Sequence, residues 1–251
     1  MMTGRFRVVV VILLAASFAR AATRAAAAVP PATGPAAPAF KYISVVIVLD
    51  ENNLPKRLSR TDIYFVGDTA LAVDADGLPE WTFDLRRQTI ADEHGGGRQN
   101  LAQMQAQAQK QRAEKLKQLP DMKDQATAQR MKCELDPALA TLQSDDGKLI
   151  VSNPIIRYEI DPSPLDPTYR QRLYAAVRLS AYSKSTASVP PFLNLALADE
   201  LERRGVLAKE MKITHQQSDG PVEMRVLCRV MPLSDQDRKR LAPLFLPGAG
   251  F

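Results

Sequence analysis

Histidine is scarce in this chain, and the segment whose residue types most suggest catalysis surrounds one of its two histidines. His94 is followed by three glycines, and a His-Gly-Gly-Gly segment can offer backbone amides to an oxyanion. The serine that such a site serves normally lies in a Gly-x-Ser-x-Gly motif, which the sequence lacks. The other histidine, His215, alternates with Met211 and Ile213 as a strand residue does. An acyl-transfer triad is therefore disfavoured, and the glycine run is interpreted as a loop at a strand end.

Asp92, Glu93 and His94 also have the side-chain types of a metal site. Consecutive side chains on a strand point to opposite faces of the sheet, so these three cannot easily converge on one ion. The sequence contains no Walker phosphate loop, no Rossmann glycine pattern and no Cys-x-x-Cys pair. We therefore expect a non-enzymatic protein without a bound metal or cofactor.

The amino-terminal residues have the pattern of an export signal. Two arginines precede a continuous apolar run (residues 8–16), and small residues at Ala19 and Ala21 suit a signal peptidase. The run is too short to cross about 30 Å of hydrocarbon, which argues against the alternative of an uncleaved anchor. We predict a signal peptide over residues 1–21 and a periplasmic or secreted mature protein with no integral membrane segment.

The charge and composition of the remaining chain exclude one class of partner. Residues 22–39 consist mainly of Ala and Pro and are predicted to form a flexible linker, while residues 40–247 fit a single domain. The whole chain has 33 basic and 28 acidic residues, a formal net charge of +5. Without the three arginines of the predicted signal, 30 basic residues face 28 acidic ones and the net charge is only +2. A nucleic-acid interface, which needs basic residues gathered on one face, is therefore not expected.

Alternating and β-branched segments predict an antiparallel β-meander over residues 40–93. Gly67-Asp68 and Asp76-Gly77 suit two-residue hairpin turns between its strands. Residues 98–135, rich in Gln, Ala, Lys and Met, predict a Gln-rich helical insertion that is interrupted at Pro120. The later predicted elements are a hairpin over 148–160, helices over 167–182 and 190–204, a strand over 222–230 and a short helix capped by Ser234. Together these elements predict an α+β domain whose helices cover one face of the sheet.

The two cysteines, Cys133 and Cys228, allow one intramolecular pairing. In an exported chain this favours a disulfide that joins the end of the central helical region to the last long strand. The alternative is two separate buried thiols. In both cases Cys228 faces inward, because it follows the alternation of its strand.

Several segments resemble those of secreted bacterial proteins of unknown function. They are residues 61–68 (Thr-Asp-Ile-Tyr-Phe-Val-Gly-Asp), 81–85 (Trp-Thr-Phe-Asp-Leu), 89–92 (Thr-Ile-Ala-Asp) and 190–197 (Pro-Pro-Phe-Leu-Asn-Leu-Ala-Leu). The sheet of such proteins is similar to the half-barrel of the periplasmic lipoprotein carriers LolA and LolB. The resemblance implies a curved, half-barrel-like antiparallel sheet closed by helices around an apolar cavity. The Gln-rich insertion and the final β-hairpin depart from the carriers, so transfer of lipoproteins itself is not implied.

Two classes of function are compatible with these features. In the first, the concave face of the sheet binds a lipid, an acyl chain or another apolar ligand. The residues predicted to line that site are Val46, Val48, Ile63, Phe65, Trp81 and Phe83, for each of which the alternative is simple core packing. The second class is a cell-envelope interaction or scaffold protein, which binds a protein partner through the Gln-rich helices or an exposed sheet edge. An apolar cavity favours the first class, whereas a filled core with an exposed stripe over residues 98–118 favours the second.

Overall fold

The computed structural model describes residues 38–50, 54–74, 77–93, 97–183, 192–217 and 220–245. The predicted signal peptide and the linker up to residue 37 lie outside the described residues. Within the described ranges the chain forms eleven β-strands and five α-helices. The strands are β1 (Phe40–Leu49), β2 (Pro55–Val66), β3 (Thr69–Val73), β4 (Pro79–Asp84), β5 (Thr89–Asp92), β6 (Gly97–Asn100), β7 (Thr141–Asp145), β8 (Lys148–Ser152), β9 (Ile156–Pro164), β10 (Val206–Gln217) and β11 (Gly220–Pro232). The helices are α1 (Leu101–Gln118), α2 (Gln125–Leu135), α3 (Pro167–Ser183), α4 (Phe192–Arg204) and α5 (Asp235–Leu241).

These strands belong to one antiparallel sheet, in the order β6-β5-β4-β3-β2-β1-β11-β10-β9-β8-β7. Strands β1 to β5 form the predicted meander over residues 40–93, and β6, at residues predicted to start the helical insertion, extends it by one strand. Strands β7 to β11 make up the other half, in reverse order along the sheet. The pairing of β1 with β11 joins the two halves along most of both strands. The predicted α+β class with an antiparallel sheet is thus confirmed. The sheet is open, because β6 and β7 are its two edges.

The alternation of buried and half-buried side chains along β1 shows which face of the sheet is covered. Phe40, Tyr42 and Val46 are buried, whereas Lys41 and Ile43 are only half-buried. We call the face that carries the first three the inner face and the opposite one the outer face. Side chains of α1, α3 and α4 pack with inner-face side chains in the main hydrophobic core. Removal of this apolar surface from water is the principal source of stability in such a fold.

The Gln-rich insertion forms two helices, as its composition predicts. Asn100 caps α1, because its side-chain oxygen accepts a hydrogen bond from the backbone N–H of Ala102 at 2.9 Å. Leu101 and Met104 of α1 join the main core. A 3-10 turn that contains Pro120 separates α1 from α2, since proline lacks the N–H that would continue the helix. Among the described helices, none is both long and apolar enough to cross a bilayer.

The next two helices have the predicted end signals and are joined by an ion pair. Asp166 accepts a hydrogen bond at 2.8 Å from the backbone N–H two residues later, at the start of α3. Gly205 follows α4 with a φ of +70°, a left-handed conformation that favours glycine. Arg178 of α3 binds two carboxylates of α4, Asp199 at 2.7 Å and Glu202. These contacts fix α3 and α4 to each other at the surface of the main core.

A smaller hydrophobic core lies on the outer face, beneath α5. Its members are Tyr64, Val66, Leu71, Val73, Leu233, Leu241 and Phe245. Ser234 and Asp237 form the predicted capping box at the start of α5. Asp237 also accepts two hydrogen bonds from the ammonium group of Lys41, at 2.9 and 3.1 Å. Helix α5 is therefore held to the sheet by apolar packing and by one ion pair.

Replacement of Asp237 by asparagine is expected to lower the free energy of unfolding by about 1 kcal/mol at pH 7 and by much less at pH 3. Burial alone would raise the pKa of Asp237, but hydrogen bonds from Ser234 and Lys41 outweigh it and lower that pKa. The stabilisation is therefore complete above about pH 4, the ordinary pKa of aspartate, and is lost as the pH falls through the folded-state value. Urea denaturation of both proteins at the two pH values measures this difference. An equal difference at pH 3 and pH 7 would contradict the assignment.

Candidate functional site

The six residues predicted to bind an apolar ligand share the inner face of the sheet. They are Val46, Val48, Ile63, Phe65, Trp81 and Phe83. Ile63 and Phe65 are the cross-strand partners of inner-face residues of β1, and directly opposed side chains share a face. Trp81 and Phe83 continue the same two rows through β3. The sequence pattern therefore assigned all six to one surface of the sheet.

Four of the six lie in the packed interior. Phe65 is 0% exposed, and its ring stacks on that of Phe40 with the centroids 4.2 Å apart. Val46, Ile63 and Phe83 are buried in the same core. These four side chains are therefore packed against other side chains of the main core.

Val48 and Trp81 differ from the other four because they are only half-buried. Trp81 packs against the margin of the main core. Val48 lies opposite Met224 on one neighbouring strand and Arg57 on the other, near the ends of the long central strands. The two lie apart, since the strand register places Trp81 in the row of Tyr42, six residues from Val48 along β1. Each is a separate place where the inner face is less completely buried.

The predicted disulfide between Cys133 and Cys228 is wrong, because both residues are free thiols. Both are buried, as the alternative interpretation required. The sulfur of Cys228 forms a hydrogen bond of 2.9 Å with the hydroxyl of Tyr42 on β1. The sulfur of Cys133 on α2 accepts a hydrogen bond of 3.8 Å from the side-chain amide of Gln129. An even number of cysteines in an exported chain suggests a disulfide, but it contains no information about the distance between the two residues. A disulfide forms only where the fold brings the two Cα atoms within bonding reach.

His215, a candidate base, and Glu93, a candidate metal ligand, each have structural contacts that account for them. His215 is half-buried on the inner face of β10, where burial and the nearby Arg130 lower its pKa and favour the neutral imidazole. Glu93 accepts a hydrogen bond of 2.5 Å from the hydroxyl of Thr82. His94 lies outside the described residues. In the part of the chain that the structure describes, no three His, Cys, Asp or Glu side chains are grouped as metal ligands.

A depression of about 570 Å³ opens between α4 and one edge of the sheet. We call it the edge cleft. It is lined by residues of the 3-10 turn before β7, by the start of β7, by Val151 of β8 and by Asp199, Glu200, Arg203 and Arg204 of α4. Two smaller depressions, of about 410 and 180 Å³, lie beside β9 to β11 and along α1. The six predicted ligand residues line none of these three depressions of the described chain.

The edge cleft has an apolar floor and a charged wall. Leu142 of β7 lies opposite the fully buried Val151 on the inner face and forms part of the floor. On the wall, the carboxylate of Glu200 binds Arg203 at 2.5 Å and Arg204 at 2.7 Å. The hydrogen bond from Arg203 is the main cause that lowers the pKa of Glu200, so the carboxylate remains charged at neutral pH. The cleft can therefore accept apolar groups close to a fixed cluster of charges.

The edge cleft was not predictable from the sequence, because its walls come from three separate segments of the chain. Strand β7 was missed as well, since four of its five residues are exposed and polar residues dominate it. One signal was available: Asp146 and Gly147 have φ angles of +45° and +76° and form the turn of the β7–β8 hairpin. An Asp-Gly pair implies a strand on both sides, and only the following strand was assigned.

Comparison with known proteins identified no relative. No protein-family model matches this chain, and no curated protein matches it. The inner-face residues and the edge cleft are therefore the observations from which we argue a function.

Proposed function

We propose that this is an exported, non-enzymatic protein of the cell envelope that binds an extended segment of a protein partner along β7. One observation carries the proposal: the sheet ends at β7, and a cleft of about 570 Å³ adjoins that edge. The filled core around Phe65 supports partner binding in preference to transport of a ligand inside the domain.

Strand addition to β7 follows from the chemistry of a sheet edge. An edge strand presents backbone N–H and C=O groups that have no partner strand, and an extended peptide can pair with them. Side chains of the added strand would alternate between the two faces of the sheet. Those on the inner face would lie beside Leu142 and Ser144 of β7. The inward side chains would then enter the edge cleft. Backbone hydrogen bonds supply affinity in this mode, while the apolar floor and the α4 charges select the side chains.

A second candidate function, the binding of a lipid or acyl chain, is supported by the half-buried Val48 and Trp81. In this proposal the open sheet curves as a half-barrel similar to that of LolA and LolB. The ligand would lie over the less covered part of the inner face, beside Met224, and not within the packed core. The signal-like amino-terminal sequence supports export for both candidates.

Extended peptides selected by phage display against the mature protein test strand addition. A peptide that pairs with β7 is expected to slow amide hydrogen exchange within residues 141–145, because the amides that point away from β8 gain hydrogen-bond partners. Ala140→Trp places a large side chain in the edge cleft and is expected to weaken peptide binding by about tenfold or more. Ala102→Trp on the exposed side of α1 is the matched control and should bind normally.

Protection confined to another segment, or equal binding by Ala140→Trp and the parent protein, would exclude the β7 site. The second candidate is tested on the same preparations by native mass spectrometry of protein purified from an exporting host without detergent. A stoichiometric apolar adduct that is lost in Val48→Asp would favour ligand binding beside Met224. A mass without any adduct, also after incubation with envelope lipids, would remove that candidate.

A further inference from the structure

The outer face of the sheet divides into two regions with different surface chemistry. On β9 to β11 its charged side chains pair with each other: Arg157 binds Glu159 at 2.9 Å, and Lys212 binds Glu223 at 2.7 Å. Paired, half-exposed charges of this kind are typical of a sheet face in contact with water. Along β1 the same face is apolar from Ile43 to Ile47, and each neighbouring strand adds one leucine, Leu58 on β2 and Leu227 on β11. This region requires a separate explanation.

The apolar region is a continuous strip across three strands. We call it the outer band and define it as Ile43, Val45, Ile47, Leu58 and Leu227. Val45 lies opposite Leu227, and Ile47 lies opposite Leu58. Leu58 is 65% exposed and Leu227 is 39% exposed, and none of the five belongs to a hydrophobic core of the described residues. Between these two leucines, Ile43, Val45 and Ile47 are half-buried. A contiguous, partly exposed apolar strip outside any core is a typical feature of an interaction site.

The charges that border the outer band are mainly positive. Arg225 and Arg229 of β11 lie opposite band residues of β1, and both are exposed. Neither forms an ion pair within the described residues, whereas Arg60 on the other side of the band binds Asp62 at 2.7 Å. Two carboxylates also border the band: Glu210 of β10 lies opposite Leu227, and Asp62, the partner of Arg60, lies opposite Ile43. Within the described residues, the unpaired arginines Arg225 and Arg229 give the border its positive character. Charge complementarity therefore favours an acidic occupant.

Helix α5 shows which kind of element covers the adjoining part of the same face. Its Leu241 is buried among apolar side chains of β2 and β3, while Asp237 of the same helix binds Lys41 of β1. An amphipathic helix that combines apolar residues with a carboxylate directed at a sheet cation is therefore stable on this surface. Lys41 and Ile43 are successive outer-face residues of β1, so the outer band continues directly from the α5 contact.

We propose that the outer band is the docking surface for an acidic amphipathic helix of a partner protein, which lies beside α5. Apolar side chains spaced three and four residues apart would cover the band, and carboxylates would pair with Arg225 and Arg229. A second copy of this chain is a poorer occupant, because it would bring arginines against arginines. The outer band lies on the opposite face from the edge cleft, so this inference does not rest on strand addition to β7.

A pair of synthetic helical peptides tests the proposal. Each has about 20 residues, because shorter isolated helices are marginal in water, and carries leucines at positions a and d of successive heptads. One peptide has glutamates beside the leucine stripe and the other has lysines. Fluorescence anisotropy with the mature protein is expected to show binding of the acidic peptide, about tenfold or more tighter than that of the basic one.

Variants of the outer band and of an arginine that borders it locate the binding site. Leu227→Ser and Arg225→Glu are each expected to weaken binding of the acidic peptide by about tenfold, through lost apolar contact and reversed charge. Both positions are exposed, so the variants should retain the parent circular dichroism spectrum and melting temperature. Arg157→Glu is the matched control, a charge reversal on the same face within the ion-paired region. It should bind the acidic peptide like the parent.

Three outcomes would overturn the proposal. The first is no preference for the acidic peptide, or an equal loss of binding in Arg157→Glu and Arg225→Glu. The second is a dimer in light scattering that Leu227→Ser converts to a monomer, which would assign the outer band to a second copy. The third is binding of phosphatidylglycerol vesicles, but not of the acidic peptide, in a manner that depends on Arg225. That result would assign the band to an anionic lipid surface.

Discussion

Phe65→Ala is expected to lower the free energy of unfolding by about 3–5 kcal/mol, one of the largest effects of any single substitution in this chain. The side chain is 0% exposed, and its ring stacks on that of Phe40 with an interplanar angle of 4°. Removal of the ring loses the transfer free energy of the buried atoms and leaves a cavity that the surrounding sheet and helices can only partly fill. Urea denaturation followed by circular dichroism measures the change.

Val48→Ala is the matched control for Phe65→Ala, because it removes an apolar side chain from the same face at a half-buried position. Its cost should be no more than about 1 kcal/mol. A small loss of stability in Phe65→Ala, similar to that of the control, would mean that Phe65 faces space and not packed protein. The ligand-binding candidate would then regain the four residues that the packing assigns to the core.

Arg178→Met is expected to destabilise the fold by about 2 kcal/mol through the contact between α3 and α4. Burial alone would lower the pKa of Arg178, but the hydrogen bond from its guanidinium to Glu202, together with Asp199, raises it. The methionine keeps most of the apolar stem and removes the charge, so Glu202 is left partly buried beside another carboxylate. The penalty arises mainly from these uncompensated carboxylates.

A triple variant separates this explanation from a simple loss of packing. Adding Asp199→Asn and Glu202→Gln to Arg178→Met neutralises the remaining charges and should restore about half of the lost stability or more. Thermal and urea denaturation of the parent, the single variant and the triple variant provide the comparison. A triple variant that is less stable than Arg178→Met would show that the carboxylates stabilise the fold without the arginine.

Local signals in the sequence predicted much of the fold because they act over a few residues. Gly67 has a φ of +55° in the turn between β2 and β3, as the Gly-Asp pair indicated. Pro120 interrupts the Gln-rich segment, and Asp237 completes a capping box with Ser234. Alternation placed Cys228 on the buried face of β11. Each of these features depends on residues that are near neighbours in the chain.

Features that depend on distant segments were not predictable in the same way. The inner face was identified from alternation, but alternation cannot distinguish a packed core from a cavity, and Phe65 proved to be packed. The pairing of Cys133 with Cys228 was predicted because the chain has only two cysteines, but that count contains no information about the distance between them. Strands β6 and β7 are short and polar, so their side-chain pattern does not indicate a strand. Their extended conformation depends on pairing with the neighbouring strands. The edge cleft exists only because β7 and α4 are neighbours in space.

The pairing of β1 with β11 has a consequence for the timing of folding. Tyr42 and Cys228, which are in contact across this pair at the middle of the sheet, are 186 residues apart in the chain. Contacts of such sequence separation form late, because the entropy of the intervening chain must first be lost. A nascent chain that has not yet completed β11 therefore leaves one side of β1 unpaired, with its Ile and Val residues accessible. The sheet can be completed only after β11 has been synthesised, so the exposed edge of β1 must stay free of other strands until then.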